Sequence, residues 1–316
     1  MTTESAARWA KITSDLRLPA IVAPMFLVSG PKLVVASCRA GLIGSFPTAY
    51  ARTGEDLERW LCEIEDGIAQ TPAGARKPAP YATNLIVHPT NPRVNDDLDL
   101  ICKHKVPVVI ASVGNPSRIV ERVHEYGGVV LTDIARISHV EKALASGVDG
   151  LILLCGGAGG HTGWINPFAF VSAVREVYDG PVILGGSIAN GRSMRAAEVM
   201  GADMSYIGTR FIATEESDAS DEYRNMVVDS VTDDIILTPA VSGLPANWLK
   251  GSLDRLGYKD YKNPPPGAFS AESNFKAWRD IWGAGHAVHT TTRISTTADI
   301  VDELENEYQA VGQEKK

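Results

Sequence analysis

The sequence predicts a parallel (β/α)8 barrel, the TIM barrel of the α/β class, with a small C-terminal helical addition; three observations carry that expectation. Short apolar runs begin near residues 20, 42, 81, 106, 128, 149, 181 and 203, with helix-like stretches between them. A βα unit therefore recurs eight times, mostly every 21 to 25 residues, and eight such units fill the roughly 200 to 250 residues a closed barrel takes. A doubly wound sheet would use about six strands and carry GxGxxG after the first. The first turn here, PMFLVSGP from Pro24, lacks that fingerprint, and the glycine-rich turns come late.

The elements follow in order. Ala20 to Met25 (AIVAPM) and Leu42 to Phe46 (LIGSF) are apolar runs that read as buried strands. Between them Pro31 to Ala40 reads as a helix closed by Gly41. A helix over Glu55 to Gln70 and a Pro-rich connection lead to strand Tyr81 to Val87. Helices over Asp96 to His104, Ser117 to Tyr126 and Ile137 to Ser146 precede strands Val106 to Ala111, Gly128 to Thr132 and Asp149 to Leu154. Helix Pro167 to Tyr178, strand Pro181 to Gly185, helix Ser193 to Met200 and strand Asp203 to Ile207 complete the barrel. Beyond Thr214 the period is lost. Glu215 to Asp221 reads as a solvated acidic run, and NPPPG, Asn263 to Gly267, as a rigid turn or linker. Thr297 to Ala310 places Ile300, Val301, Leu304 and Tyr308 on one helical face. The expected division is a barrel over 1–214, a small mostly helical domain over the barrel mouth at 215–289, and a helix at 290–316 packing back on the barrel.

Composition narrows the function. A formal charge of −8 with no Lys/Arg cluster speaks against nucleic-acid binding. The longest apolar stretch, Leu18 to Val28, has eleven residues and two prolines, short of the roughly 20 a membrane span requires. Cys38, Cys62, Cys102 and Cys155 show no CxxC or metal-ligand spacing, and the N-terminus lacks a secretion pattern. The expectation is a soluble, cytoplasmic protein with reduced thiols and no catalytic metal, a homodimer being the commonest state for such an enzyme.

A barrel collects its chemistry on the loops at the C-terminal ends of its strands. Pro24 and Met25, Asn84 and His88, Asp133, the 155–163 loop, Gly185 to Ser187, and Gly208 with Thr209 should therefore share one mouth. Gly185, Gly186, Ser187, Gly208 and Thr209 can aim backbone N–H groups and two hydroxyls at a phosphate, aided by the helix that follows. In LILLCGGAGGHTG, Leu151 to Gly163, a strand runs into a loop of five glycines whose His161 can move a proton near neutral pH.

AGGHTG (Ala158 to Gly163), the segment Val182 to Ser217 and the opening AIVAPM resemble the nitronate monooxygenase family, formerly 2-nitropropane dioxygenases. The resemblance runs from about Pro19 to Ser217, with weaker matches at Ser242 to Ser252, Trp282 to Gly285 and Thr297 to Tyr308. It implies an FMN-dependent barrel related to FMN-dependent enoyl reductases and NADH:quinone reductases. FMN would lie across the mouth, its phosphate on Gly186, Ser187, Gly208 and Thr209, with Met25 and Asn84 near the isoalloxazine ring. Gly159 and Gly160 would let the loop pass close to the flavin, and His161 would stand beside the substrate as base or hydrogen-bond partner. The implied reaction oxidises alkyl nitronates with O2 to carbonyl compounds and nitrite. Two departures stand out: Leu154 and Gly157 occupy places where many members carry Gln and Glu, and Asp133 falls where the family has a lysine.

Among the remaining candidates, His104, His124 and His139 fall on helices and read as surface residues. His88, His286 and His289 are within reach of the mouth, and Trp248, Trp278 and Trp282 read as packing of the small domain. Ser112 and Thr162 are not placed in a nucleophile elbow, so hydrolysis has little support. Two alternatives remain: an NAD(P)H-dependent FMN reductase of enoyl thioesters or quinones on the same scaffold, and a non-enzymatic flavin-binding barrel.

Overall fold

The computed structural model describes residues 2–255, 257, 260–261 and 276–311; the NPPPG segment lies outside them. Its elements, in chain order, begin with α1 (Thr3–Thr13), β1 (Ala20–Val22), α2 (Pro31–Ala40), β2 (Gly44–Pro47), α3 (Gly54–Ala69) and β3 (Tyr81–Ile86). They continue with α4 (Val94–Lys103), β4 (Val108–Ser112), α5 (Ser117–Glu125), β5 (Val129–Ile134), α6 (Val140–Ala145), β6 (Gly150–Leu154) and β7 (Gly160–His161). Then come α7 (Pro167–Arg175), β8 (Val182–Gly185), α8 (Gly191–Met200), β9 (Met204–Ile207) and α9 (Thr209–Ile212). Beyond these lie α10 (Asp221–Asp229), β10 (Ile235–Thr238), β11 (Ala246–Leu249), α11 (Lys250–Asp254) and α12 (Thr297–Ala310).

Eight parallel strands pair in the order β1-β9-β8-β6-β5-β4-β3-β2. A bridge between Ile21 and Ile43 joins the ends, with Val22 N–H donating to Ile43 O at 2.9 Å. The sheet is thus a closed TIM barrel. Alternation along each strand sorts the side chains into two cores. Ile21, Ile43, Val108, Ile110, Leu131, Ile152 and Ile183 fill the interior, while Val22, Phe46, Leu85, Val109, Leu153 and Leu184 pack outward under the helices. Short strands suffice because every residue of β4 and β8 is buried.

The local signals act as their chemistry requires. Pro31 opens α2, and Gly41 ends it in the left-handed region at φ 91°. Asn190 caps α8 through a reciprocal box with Ser193. Helix α1, which no periodicity marked, brings Ile12 and Trp9 against the lower interior layer. It is tied there by Asp149, whose buried carboxylate accepts from Ser5 Oγ at 2.7 Å, Arg8 Nη2 at 2.7 Å and the Val130 N–H at 2.8 Å, and faces His124 Nε2 at 2.8 Å. His124 is therefore a structural partner and not a free surface residue; His104 is likewise enclosed, its side chain 9% exposed, and only His139 stands open.

Past α9 the chain departs from the barrel period. The 215–289 segment contributes α10 and α11, and also a three-stranded antiparallel sheet in the order β10-β11-β7, which captures the tip of the loop after β6. That sheet was not legible in the periodicity. Helix α12 lies along α2 and α8, with Ile300, Val301, Leu304 and Tyr308 buried. Among the described residues no helix is long and apolar enough to cross a membrane.

The upper interior layer is where packing gives way to polarity. Asn84 Nδ2 donates to Ser112 Oγ at 2.5 Å, and Ser112 Oγ donates to Asp133 Oδ2 at 2.5 Å. Desolvation pushes the Asp133 carboxyl up to about 6, against the Ser112 hydrogen bond, which favours the charged form.

Two outcomes follow from this packing. A methyl on Gly191 would sit 2.1 Å from Tyr308 N and 2.4 Å from Leu304 O, so Gly191→Ala should push α12 off α8 and lower unfolding free energy in urea by about 2 kcal/mol or more; an unchanged midpoint would refute that docking. Because the folded pKa of Asp133 is raised, its ionisation opposes folding, and stability should fall as pH rises from about 4 through 6, by up to about 3 kcal/mol. Asp133→Asn should remove that decline, measured as the difference between the two stability–pH profiles.

Candidate functional site

The loops after β8 and β9 lie side by side because their strands are hydrogen-bonded neighbours. After β8 the chain passes through Gly186 at φ 125° and Ser187 at φ 60°, conformations open to glycine and strained for serine. Among the described residues, no acceptor takes the N–H groups of Gly186, Ser187 or Gly208. The Gly285 N–H donates to Thr209 Oγ1 at 2.8 Å, which leaves the Thr209 hydroxyl proton free to donate. Met25 lies over Gly208, its Sδ 3.4 Å from where a Cβ there would stand. The expected phosphate residues and Met25 are thus brought together, and the donor set suits an anion. At the start of α8 the Gly191 N–H donates to Glu307 Oε2 at 2.7 Å, so α12 takes that donor.

The loop after β6 reaches the same mouth. Thr162 Oγ1 donates to Cys155 O at 2.8 Å and closes its base. A Cβ on Gly157 would stand 2.3 Å from Ser187 Oγ and 3.0 Å from His286 Nδ1, and one on Gly159 would stand 2.9 Å from the backbone of Ala284 and Gly285. Gly157 adopts φ 93°, which favours glycine, and at Gly159 two backbone segments meet with no room for a side chain.

Gly160 and His161 form β7 and pair with Asn247 and Ala246 of β11. His161 Nε2 lies 3.1 Å from Ser242 Oγ, and its ring stands edge-on to Trp278 at 5.2 Å. His161 is exposed at the mouth, yet its neighbours on one side desolvate the ring and lower its pKa below the ordinary 6.5, which favours the neutral imidazole at pH 7.

Asn84 belongs to the interior row with Ser112 and Asp133, and β3, which carries it, lies four strands round the barrel from β8. Next to that row, burial and the nearby Asp133 raise the Tyr206 phenol well above its usual value. Gly185 closes the wall against the Tyr206 ring. His286 is at the mouth beside Gly157. His88 turns to Thr90 in its own loop at 2.8 Å, and His289 pairs with Thr232 at 3.0 Å. Trp248 packs on Trp278 at 4.4 Å and Trp282 stacks on Tyr223 at 4.9 Å, so both hold the extension together while Trp278 also walls His161.

Two contributors escaped sequence reasoning. Ser112, set aside as a nucleophile, links Asn84 to Asp133. Asn247 donates from Nδ2 to Ala158 O at 2.7 Å, and its buried Oδ1 has no donor among the described residues. The one available signal was a polar residue inside the apolar run Ala246 to Leu249.

The family description nitronate monooxygenase matches residues 10–263. A Rhodococcus jostii protein named as a (3aS,4S,5R,7aS)-5-hydroxy-7a-methyl-1-oxo-octahydro-1H-indene-4-carboxyl-CoA dehydrogenase is 26% identical over 265 residues, covering 84% of this chain and 71% of that one. A probable nitronate monooxygenase of Staphylococcus aureus is 26% identical over 266 residues, covering 72% of this chain and 74% of that one. The solved structure of FabK from Thermotoga maritima superposes with a TM-score of 0.81 at 26% identity over 97% of both chains. With its barrel and the greater part of its length matched, the chain belongs to the nitronate monooxygenase family of flavin-dependent oxidoreductases.

Proposed function

We propose that the protein is an FMN-dependent, nitronate monooxygenase-like enzyme that oxidises alkyl nitronates, or the parent nitroalkanes, with O2 to a carbonyl compound and nitrite. The observation that carries this reading is the cluster of N–H groups on Gly186, Ser187 and Gly208, which no acceptor takes among the described residues, beside the Thr209 hydroxyl. Such a set would hold the FMN phosphate, with Gly185 as its edge. Met25 above Gly208 and Asn84 across the mouth would border the ring, and Gly159 and Gly160 would let the loop run past it. The bound flavin would supply the electron acceptor and its reoxidation by O2.

The chain's own contribution is then positioning and proton handling. A neutral His161 can take the α proton of a nitroalkane or donate one N–H to a nitronate oxygen, with Ser242 and Trp278 fixing its ring. Asn247 Oδ1 offers one unused acceptor beside that loop. A second reading, an NAD(P)H-dependent FMN reductase of enoyl thioesters or quinones, is favoured on its thioester side by the CoA thioester in the name of the Rhodococcus relative.

One measurement separates these, and two more test His161. Propyl-2-nitronate should reduce the protein-bound flavin anaerobically while NADH and NADPH do not; reduction by NADH alone would move the assignment to the reductase. His161→Asn should retain flavin and lower turnover by about 100-fold or more, and unchanged turnover would refute the role given to His161. Because the pKa of His161 lies below 6.5, kcat/KM of the unsubstituted enzyme on nitroalkane should hold near pH 7 and drop as pH falls through that pKa, a limb that His161→Asn should lack.

A further inference from the structure

On the outer wall, far from the mouth, α3 and the end of α4 bring together Glu58, Cys62 and His104, whose ligand atoms all lie within 4.8 Å of one another. Glu58 and Cys62 are four residues apart on α3 and so share one face, and His104, just past α4, closes over them. We infer that this cluster is a binding site for a borderline-soft divalent cation of the zinc type, with Glu58 carboxylate, Cys62 thiolate and His104 Nε2 as ligands and solvent completing the shell.

The support around the imidazole points the same way. His104 Nδ1 faces both oxygens of Glu65 at 3.1 Å, one further turn along α3, and the Tyr81 hydroxyl donates to Glu65 Oε1 at 2.9 Å. A carboxylate that accepts from one ring nitrogen fixes the tautomer and leaves the other nitrogen to bind metal, and a fixed carboxylate fixes the ring. Nε2 already faces Glu58 Oε1 at 3.1 Å. Carboxylate, thiolate and imidazole form a donor set suited to zinc. Bonds of about 2.0–2.3 Å need donors roughly 3.3–3.8 Å apart, so small rotamer shifts close the shell.

An approach path exists as well. A cleft of about 620 Å3 between α3 and α4 is lined by Glu55, Glu58, Asp96 and Asp99 against one cation, Arg59. Cys62 is a free, exposed thiol. The occupant to be displaced is Lys103, whose Nζ pairs with Glu58 Oε1 at 2.7 Å. Binding releases to solvent the Cys62 thiol proton and the His104 Nε2 proton that faces Glu58, and forms the metal–sulfur and metal–nitrogen bonds with no change of oxidation state.

The test uses the full chain, stripped with chelator and titrated with Zn2+ by calorimetry and with Co2+ by absorbance. One equivalent should bind, the cobalt form should show a near-ultraviolet thiolate-to-metal charge-transfer band, and Zn2+ should raise the melting temperature. Cys62→Ser should abolish the band, and His104→Gln should weaken Zn2+ binding by 10-fold or more, while both keep the metal-free melting temperature within a few degrees. Glu65→Gln, which leaves all three ligands in place, should weaken binding by 10-fold or more through His104. Absence of the band, or a Zn2+ affinity unaltered by Cys62→Ser and His104→Gln, would overturn the site. Flavin binding and turnover do not enter the readout, so the result is independent of the activity proposed for the mouth.

Discussion

Three stretches of backbone meet at the barrel mouth with no side chain between them, and the functional geometry depends on that meeting. Gly159 lies on the backbone of Ala284 and Gly285, where an added Cβ would stand 2.9 Å from its neighbours, and Gly186 lies on the backbone of Cys155 and Ala158, where one would stand 3.2 Å away. The contact lets Gly285 reach Thr209 and lets β7 pair with β11. It therefore decides how far the 155–163 loop reaches over the mouth and where His161 stands. The C-terminal addition is part of the site for the same reason, since Ser242, Trp278 and Asn247 all contact that loop.

Two buried carboxylates show how the barrel treats its ends differently. Asp149, at the lower end, is met by Ser5, Arg8, His124 and the Val130 N–H, and binds α1 to the barrel. Asp133, in the upper layer, has a side-chain hydrogen bond from Ser112, and desolvation governs its proton. A group with every lone pair engaged serves stability, whereas one left short of partners at a mouth can change charge near neutral pH. The acid there imposes a constraint on any anion bound above it, since β6 alone separates β5 from β8, whose following loop carries the N–H donors.

Much of the barrel was legible because its signals are local. Eight apolar runs at a steady spacing, Gly41 behind α2 and the glycine loops after β6 and β8 each follow from the φ/ψ freedom or the burial of a few adjacent residues. Helix α1 and the β10-β11-β7 sheet were not legible. The first is held by a charge pair between Arg8 and the buried Asp149, 141 positions apart, and the sheet is built from strands of two to four residues whose pattern is too short to carry a period.

The sequence by itself determined the βα repeat, the placing of candidate residues at strand ends, and the family resemblance carried by AGGHTG and the Val182 to Ser217 segment. Tertiary structure alone decided which of them meet. It put Gly186, Ser187, Gly208 and Thr209 side by side through the β8–β9 pairing, gave the start of α8 to Glu307, and drew Ser112 and Asn247 into the mouth. Pattern reports which face of an element a residue takes, but contact across the barrel depends on closure and register, which no single stretch of chain contains.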